Sequence, residues 1–319
     1  MPLRSQPNIL AGPYLNRSSQ WRSDERLLLT ALADPKTLIV PVWRTQNLIA
    51  AIDGVTAARF IDGLELLGDV DAAELILLGE FRGRICFAME MPADRPPAID
   101  NTAQFRDLRV LAGELPPDEA GLLAYARAMI LWRERHRFCG RCGTPTIALQ
   151  AGHVLKCSDE LCGLQQFPRI DPAIIVLITD GERVLLGRQA AWPPGRYSTI
   201  AGFVEPGESL EDAVVREVME ETGVVVDGVS YHSSQPWPFP SSLMLGFTAQ
   251  ATTSEVYLHD EELEDARWLD REQIAAGEVA LPTAHSLSFR LIEDWFDAGS
   301  TIPLRAQEHV RMWNSKPVP

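Results

Sequence analysis

Acidic residues with fixed spacing lie between positions 202 and 224 of the chain. Gly202 begins the pattern, Glu208 follows, and the segment 216–224 (REVMEETGV) completes it. Residues three and four apart share one face of a helix, and this rule groups Glu217, Glu220 and Glu221. Carboxylates in this arrangement suit Mg²⁺ or Mn²⁺, which leave coordination positions for water and phosphate oxygens. The pattern therefore predicts metal-assisted hydrolysis of a phosphoanhydride by water.

The helix that carries these glutamates has recognisable ends. Ser209 is predicted to cap it and Gly223 to stop it. An aliphatic stripe, expected to pack on a sheet with the glutamates roughly opposite, consists of Val215, Val218 and Met219. A solvated acidic face is the alternative, since that is what most charge runs are. The glycine-containing loop before the helix, and an arginine at 216 able to fix one carboxylate, favour the metal site.

Four of the five cysteines are clustered, with the spacing C-x2-C, fourteen residues, C-x4-C: Cys139, Cys142, Cys157 and Cys162. Four thiolates complete a tetrahedral Zn²⁺ and leave no position for substrate, so we expect one structural zinc per chain. Disulfides or free thiols are the alternatives. The second gap is wider than the usual two residues, which makes His153 a substitute ligand, although a surface histidine is the expectation. Cys86 lies in an apolar run and is expected in the core.

Prolines alternate with aromatic residues in the segment 234–242 (SQPWPFPSS). Such a segment is stiff and extended, and its aromatic faces, Trp237 and Phe239, can stack on a base. Packing in a core or an interface is an equally good explanation. Gln235 and Ser242 are candidates for polar contacts to ribose or phosphate.

The remaining pattern predicts an α+β chain with more than one domain. Short apolar runs separated by Gly and Asp turns predict strands in residues 1–135, which end in a helix at 119–135. The proline-containing stretch 167–172 is a stiff connector. Beyond it we expect strands at 173–179, 183–187, 243–251 and 266–269, and helices at 209–222 and 284–297.

The formal net charge of −15 argues against a surface that collects nucleic acid or anionic membrane as a whole, although a local basic pocket could still bind phosphates. No apolar run approaches eighteen residues, and the first residues lack the apolar core of a signal peptide. A cytoplasmic protein with no membrane partner is the expectation.

The acidic pattern fits G-x5-E-x7-R-E-U-x-E-E-x-G-U, in which U is a bulky aliphatic residue, at every fixed position. This is the Nudix box. Together with the SQPWPFPxS segment and the upstream cysteines, it resembles the NADH pyrophosphatase family of Nudix hydrolases over roughly residues 105–297. The resemblance implies homodimers that cleave NADH or NAD⁺ to nicotinamide mononucleotide and AMP. It also implies possible removal of NAD caps from RNA 5′ ends, which bacterial members perform.

The same resemblance implies a domain order. An N-terminal Nudix-like mixed α/β domain is expected over 1–135, a zinc ribbon over 136–167, a Nudix α/β/α sandwich over 168–297 and a C-terminal tail over 298–319.

Site residues also follow from the resemblance. It assigns metal ligands to Glu217, Glu221 and Glu262, with Arg216 in the catalytic set and Glu220 as either a second-cation ligand or the base. Phe167 stands where the family usually has a tyrosine, so stacking is retained and a hydroxyl contact is lost. Arg109 resembles a substrate-facing basic residue, with a plain surface arginine as the alternative. The other implied substrate contacts are Ala201, Gln235, Pro236, Trp237, Pro238, Phe239, Pro240, Ser241, Ser242 and Ala284.

Two other hypotheses differ from a diphosphatase of free NADH. The close one is hydrolysis of NAD-capped RNA. The distant one is a Nudix-fold sensor that binds a nucleotide without cutting it. The intact Arg-Glu-x-x-Glu-Glu run argues against a sensor, because binding alone does not need the whole set of metal ligands.

Overall fold

The computed structural model describes residues 7–52, 54–63, 74–92, 102–258 and 262–313. The chain forms two compact units, Met1–Ile170 with Trp237–Ser241 and Asp171–Pro236 with Ser242–Pro319. Within the described ranges, no helix has the length and apolar character needed to cross a membrane.

The first unit contains a mixed sheet and three α-helices in its described residues. The helices are α1 (Glu25–Ala33), α2 (Leu108–Leu111) and α3 (Pro117–Arg135). The strands are β1 (Leu15–Asn16), β2 (Leu38–Trp43), β3 (Gln46–Ile52), β4 (Val55–Ala58), β5 (Ile61–Asp62), β6 (Leu75–Phe81), β7 (Arg84–Glu90) and β8 (Ala103–Arg106). In the sheet they follow the order β1-β6-β7-β2-β3-β4, with β5 paired to β2 and β8 paired to β3.

This sheet is covered on both faces because its central strands are apolar throughout. Successive side chains of a strand point to opposite faces. In β2, Val40 and Val42 join the core that α3 covers, whereas Ile39 joins a second core with Ala31 of α1. Cys86 is fully buried in the first of these cores, as the sequence predicts, and burial raises the pKa of its thiol.

A small antiparallel sheet follows α3 in the same unit. It consists of β9 (Thr146–Leu149), β10 (Val154–Cys157) and β11 (Gln165–Gln166). Leu155 of β10 joins the core under α3. His153 is buried and its Nε2–H donates to the carbonyl of Leu77 at 2.7 Å. The expectation of a surface histidine is therefore wrong, because the ribbon packs on the sheet through this side chain.

The second unit begins at Asp171. The helices are α4 (Leu210–Thr222), α5 (Arg271–Ala275) and α6 (Leu287–Ala298). The strands are β12 (Asp171–Thr179), β13 (Arg183–Arg188), β14 (Ile200–Phe203), β15 (Val226–Trp237), β16 (Ser242–Ala251), β17 (Asp265–Asp270), β18 (Ala280–Leu281) and β19 (Arg311–Met312). The sheet has the order β15-β16-β12-β13-β17, with β14 paired to β12, and a separate short pair joins β18 to β19.

The central strand β12 explains the α/β/α sandwich of this unit. Ile174, Val176 and Ile178 lie in one core with residues of α4. Ile175 and Leu177 lie in the opposite core with residues of α6. A strand buried on both faces needs apolar residues at every position, and residues 173–178 supply them. The predicted elements of this unit are confirmed to within a few residues.

The stretch expected as a tail is partly structured. Arg311–Met312 pairs in parallel with Ala280–Leu281, and the Trp313 N–H donates to the Leu281 carbonyl at 2.9 Å. Residues 314–319 of that stretch lie outside the described residues.

The buried imidazole gives a test of the ribbon's packing. Burial lowers the pKa of His153 from 6.5 to about 4, with Arg22 and Arg17 acting in the same direction. Because the unfolded chain takes up the proton first as pH falls, the free energy of unfolding should drop between these two values by on the order of 2 kcal/mol. His153→Gln lacks this titration. Urea unfolding should therefore show that the difference in free energy of unfolding between the wild type and this variant shrinks from pH 7.5 to pH 5. A difference that stays constant with pH would contradict the burial of a neutral His153.

Candidate active site and zinc centre

Helix α4 turns a mixed aliphatic and acidic face inward. Its N-cap Ser209 accepts from the N–H of Asp212 at 3.1 Å, and Gly223 ends it with a φ of 68°. The buried residues are Ala213, Val214, Glu217, Val218, Glu221 and Thr222. The expectation that Val215 and Met219 pack on the sheet is wrong, since their relative exposures are 42% and 39%. Two glutamates take the place of those aliphatic residues on the inner face.

Arg216 is hydrogen-bonded to three carboxylates. Its Nε and Nη2 form a bidentate pair with Glu208 at 2.7 and 2.9 Å, and its Nη1 donates to Glu217 at 2.9 Å and Glu220 at 3.0 Å. Nη2 also donates to the Phe203 carbonyl at 3.0 Å. Hydrogen bonds from Arg216 lower the pKa of Glu208 to about 2. The planar guanidinium thereby fixes the loop and the helix to each other, which a lysine could not do.

Gly202 leaves room for the carboxylate of Glu217. A Cβ added at Gly202 would lie 1.9 Å from the Cδ of Glu217 and 2.0 Å from its Oε1. The carboxylate of Glu217 therefore lies directly against the backbone of β14. Burial raises the pKa of Glu217, Arg216 lowers it, and the charges of Glu220 and Glu262 raise it further.

The carboxylates that the sequence pattern selects differ in burial. Glu217 and Glu221 are 8% and 3% exposed, whereas Glu220 and Glu262 are exposed. Enclosed like charges repel one another more strongly than solvated ones. A hard cation with oxygen ligands offsets that repulsion.

Two features of the site were not among the residues selected from sequence. Glu208 holds Arg216, and its place in the spaced acidic pattern was the available signal. Arg188 of β13 forms an ion pair with Glu264, two residues beyond Glu262, and its carbonyl accepts from the Glu264 N–H at 2.9 Å. No pattern in the sequence singles out Arg188, because its partner is distant in the chain.

The four clustered cysteines bring their sulfurs together. All four Sγ atoms lie within 4.8 Å of one another, with Cys139 to Cys162 at 3.8 Å and Cys142 to Cys157 at 3.4 Å. A tetrahedron with Zn–S bonds of about 2.3 Å has S–S edges of about 3.8 Å, and a disulfide would need about 2.05 Å. The sulfurs therefore fit zinc, and the cysteines are free. A turn in which the Cys162 N–H donates to the Asp159 carbonyl at 3.1 Å accommodates the wide second gap.

The aromatic segment, Trp237–Ser241, groups with the first unit by its contacts. Trp237 and Phe239 are half-buried against the core under α3, and their rings meet edge to face with centroids 5.1 Å apart. Pro238 is buried and Pro240 is exposed. Packing, one of the two explanations open from sequence, is therefore present. The half-buried rings retain exposed surface, so packing does not exclude stacking on a base.

Gln235 has a structural contact of its own. It is 1% exposed, its Nε2 donates to the His285 carbonyl at 2.8 Å, and its Oε1 accepts from the Leu287 N–H at 2.8 Å. The amide thus ties the end of β15 to the start of α6, and Ala284, just before that start, is half-buried.

The other residues selected from sequence occupy varied positions. Pro236 is half-buried at the end of β15, Ser241 is half-buried, and Ser242 opens β16 opposite Asp171. Ala201 is exposed on β14, Phe167 is 62% exposed, and the Arg109 side chain is exposed.

Gly202→Ala tests the contact with Glu217. The backbone of Gly202 is compatible with alanine, so the fold should persist while the carboxylate is displaced. If that carboxylate is a metal ligand, turnover should fall by a factor on the order of 10². Adding Glu217→Ala to Gly202→Ala should then cause little further loss, because both changes remove the same interaction. Wild-type turnover in Gly202→Ala would refute this role of the contact.

Cys139→Ser tests the zinc centre. We expect loss of bound zinc and a fall in Tm on the order of 10 °C, because metal binding contributes directly to folding free energy. Metal analysis and thermal unfolding measure both. Cys86→Ser is the matched control, since it alters a buried cysteine outside the cluster and should keep the zinc. Absence of zinc from freshly purified, reduced wild-type protein would overturn the assignment.

Three family models match successive parts of the chain. A NADH pyrophosphatase-like rudimentary NUDIX domain matches residues 36–132, a NADH pyrophosphatase zinc ribbon domain matches 134–167, and a NUDIX domain matches 169–293. The four cysteines fall within the second of these ranges, and the box glutamates fall within the third.

Relatives are found in bacteria, plants and animals. The chain is 43% identical over 218 residues to the NAD-capped RNA hydrolase NudC of Stutzerimonas stutzeri, covering 68% of the chain and 75% of that protein. It is 44% identical over 213 residues to Nudix hydrolase 19, chloroplastic, of Arabidopsis thaliana, covering 64% of the chain and 46% of that protein. It is 42% identical over 197 residues to the NAD-capped RNA hydrolase NUDT12 of Homo sapiens, covering 57% of the chain and 43% of that protein. With its zinc ribbon and its box helix, the chain belongs to the NADH pyrophosphatase family of Nudix hydrolases.

Proposed function

We propose that this hydrolase cleaves the pyrophosphate of NADH and NAD⁺ into nicotinamide mononucleotide and AMP. The observation that carries the proposal is the pair of buried glutamates on α4, Glu217 and Glu221, with Glu217 seated against Gly202. A helix of this size could bury aliphatic residues at both positions at lower energetic cost, so the carboxylates serve a purpose other than packing.

Mg²⁺ or Mn²⁺ is the cofactor that these ligands suit, held by Glu217, Glu221 and Glu262. When bound, such a cation neutralises the pyrophosphate and lowers the pKa of a coordinated water. Arg216 keeps the carboxylates of Glu217 and Glu220 in place, and Glu220 either joins a second cation or accepts the proton of the water. Water adds to one phosphorus, the bond from that phosphorus to the bridging oxygen breaks, and the bridging oxygen leaves with the other mononucleotide.

Recognition of the bases is assigned to the aromatic segment. Trp237 and Phe239 offer ring faces for stacking, which is worth about 1–3 kcal/mol per base in other proteins. Phe167, exposed in the ribbon, and Arg109 are further substrate contacts in this proposal. The remaining contacts are Ala201, Ala284 and the other residues of the segment 235–242.

NAD-capped RNA is the second candidate substrate. Two of the relatives described above carry the name NAD-capped RNA hydrolase. The net charge of −15 favours the small dinucleotide, since RNA would be repelled at long range. A capped 5′ end could still enter while the rest of the RNA remains in solvent.

Several broader features belong to the same proposal. The domain boundaries are set at 1–135, 136–167 and 168–297, with one zinc per chain. A homodimer is the proposed working form, on the strength of the family resemblance. The cytoplasm is its proposed location, because no apolar run of the sequence approaches the length of a membrane span.

The proposal is tested by incubating the protein with Mg²⁺ or Mn²⁺ and either NADH or a NAD-capped oligonucleotide. Chromatography should show reduced nicotinamide mononucleotide and AMP from NADH. Comparing kcat/KM for the two substrates decides which is preferred. Binding of NADH without product would instead identify a sensor, and turnover of neither substrate would refute the proposal.

Glu217→Gln and Glu221→Gln test the metal ligands. Each change keeps the shape of the side chain and removes its charge, so the fold should persist while turnover falls by a factor on the order of 10² or more. Circular dichroism checks the fold and product formation checks the rate. Glu211→Gln, an exposed residue in the first turn of α4, is the matched control and should keep the wild-type rate. Near wild-type rates for both ligand variants at saturating metal would contradict the assignment.

A further inference from the structure

The aromatic segment, Trp237–Ser241, connects two strands of the second unit. It joins the end of β15 to the start of β16, which are neighbours in that unit's sheet. By its contacts, however, the segment groups with the first unit. Its rings therefore receive their support from residues distant in sequence rather than from the strands that precede and follow them.

One of those supporting residues is a buried arginine on α3. Arg127 is 8% exposed, and its Cζ lies 4.7 Å from the centroid of the Phe239 ring. Its Nε donates to the carbonyl of Thr45 in the β2–β3 turn at 2.9 Å. Among the described residues, its Nη1 is buried without a hydrogen-bond partner. The guanidinium is thus held by one carbonyl and placed over one aromatic ring.

The charge of Arg127 is unfavourable for stability by itself. Burial lowers the pKa of its guanidinium, Asp107 opposes this effect, and Arg135 and Arg109 add to it. Apolar residues of similar volume often replace buried ions without loss of stability. A guanidinium over an aromatic face, in contrast, fixes the position of the ring through a directional attraction that is stronger when desolvated.

Fixing Phe239 also fixes its neighbour. The Phe239 N–H donates to the Trp237 carbonyl at 2.7 Å, and the two rings are in edge-to-face contact. A base that stacks on this pair needs both rings ordered beforehand, since ordering them on binding would weaken affinity.

We propose that Arg127 is a positioning residue for the reaction, holding Phe239, and through it Trp237, in the orientation that receives a base of the substrate. The inference rests on the proposed function. It adds a role for the first unit: its helix α3 orients a recognition element whose flanking strands lie in the second unit's sheet.

The test compares Arg127→Met, Arg127→Lys and a control. Arg127→Met should raise KM for NADH by a factor on the order of 10, with kcat within about twofold, because the lost interaction orders the rings and does not touch the reacting phosphorus. Arg127→Lys keeps the charge without the planar group and should restore part of the loss. Arg17→Met is the control: Arg17 lies 4.1 Å from the ring of Tyr125, also on α3, and its loss should leave KM unchanged.

A purely structural role gives a different result. It predicts a lowered Tm and equal losses for NADH and for a pyrophosphate that lacks the stacked base, and that outcome would overturn the proposal. The positioning role predicts an unchanged or raised Tm for Arg127→Met and a loss confined to substrates with the base.

A measurement without substrate separates this inference from the proposed function. In protein labelled with 5-fluorotryptophan, the Trp237 resonance is assigned by its disappearance in Trp237→Phe. This resonance should shift or broaden in Arg127→Met and stay in place in Arg17→Met. An unmoved resonance would overturn the positioning role whatever the enzyme cleaves. If the wild type does not cleave NADH but the Trp237 resonance shifts in Arg127→Met, the proposed substrate is rejected. The orientation of the rings by Arg127 is then still established.

Discussion

Burying two carboxylates on the inner face of one helix is the constraint on which the second unit's site depends. Glu217 and Glu221 lie among the valines of α4, where burial disfavours the charged form of an isolated carboxylate. Arg216 offsets part of this penalty and is itself fixed by Glu208. The loop from Gly202 to Ser209 must then hold Glu208 in place and bring a residue without a Cβ against Glu217. The spacing of the box follows from these demands.

Both units place helices on the two faces of a mixed sheet, and they differ in what their main helix buries. Helix α3 also contains a buried glutamate, Glu119, but both of its oxygens have partners in the fold. Oε2 accepts from the Ala58 N–H at 2.7 Å, and Oε1 accepts from Arg82 at 3.0 Å. That carboxylate ties helix to strand, whereas Glu217 and Glu220 of α4 share Arg216 with Glu208. Layering alone therefore does not produce a catalytic site, which agrees with the general separation of fold and function.

Sequence predicts best where local pattern and tertiary demand coincide. The runs 38–40 and 173–178 predict strands because burial on both faces requires apolar residues throughout. Ser209 and Gly223 predict the ends of α4 because caps are local chemistry. The prediction fails for Val215 and Met219, since hydrophobicity implies a buried stripe and cannot show that glutamates occupy it. It also fails for His153, which is buried where the Leu77 carbonyl, 76 residues earlier, accepts a hydrogen bond from its ring.

The aromatic segment marks a further limit of local pattern. Alternating prolines predict a stiff, extended segment, whereas residues 238–240 form a turn. The pattern also does not reveal that the rings rest on a core formed mainly by the first unit's sheet and α3. A stiff backbone fixes the shape of a segment but not the orientation of its aromatic rings. That orientation depends on the residues that the rings contact. For Phe239 those contacts include a charged group whose burial gives no advantage in packing alone. The contact between Arg127 and Phe239 is therefore best understood as a means of orienting the Phe239 ring. In its described residues the first unit has no counterpart of the acidic helix α4, so this orienting role gives that unit a part in the proposed function.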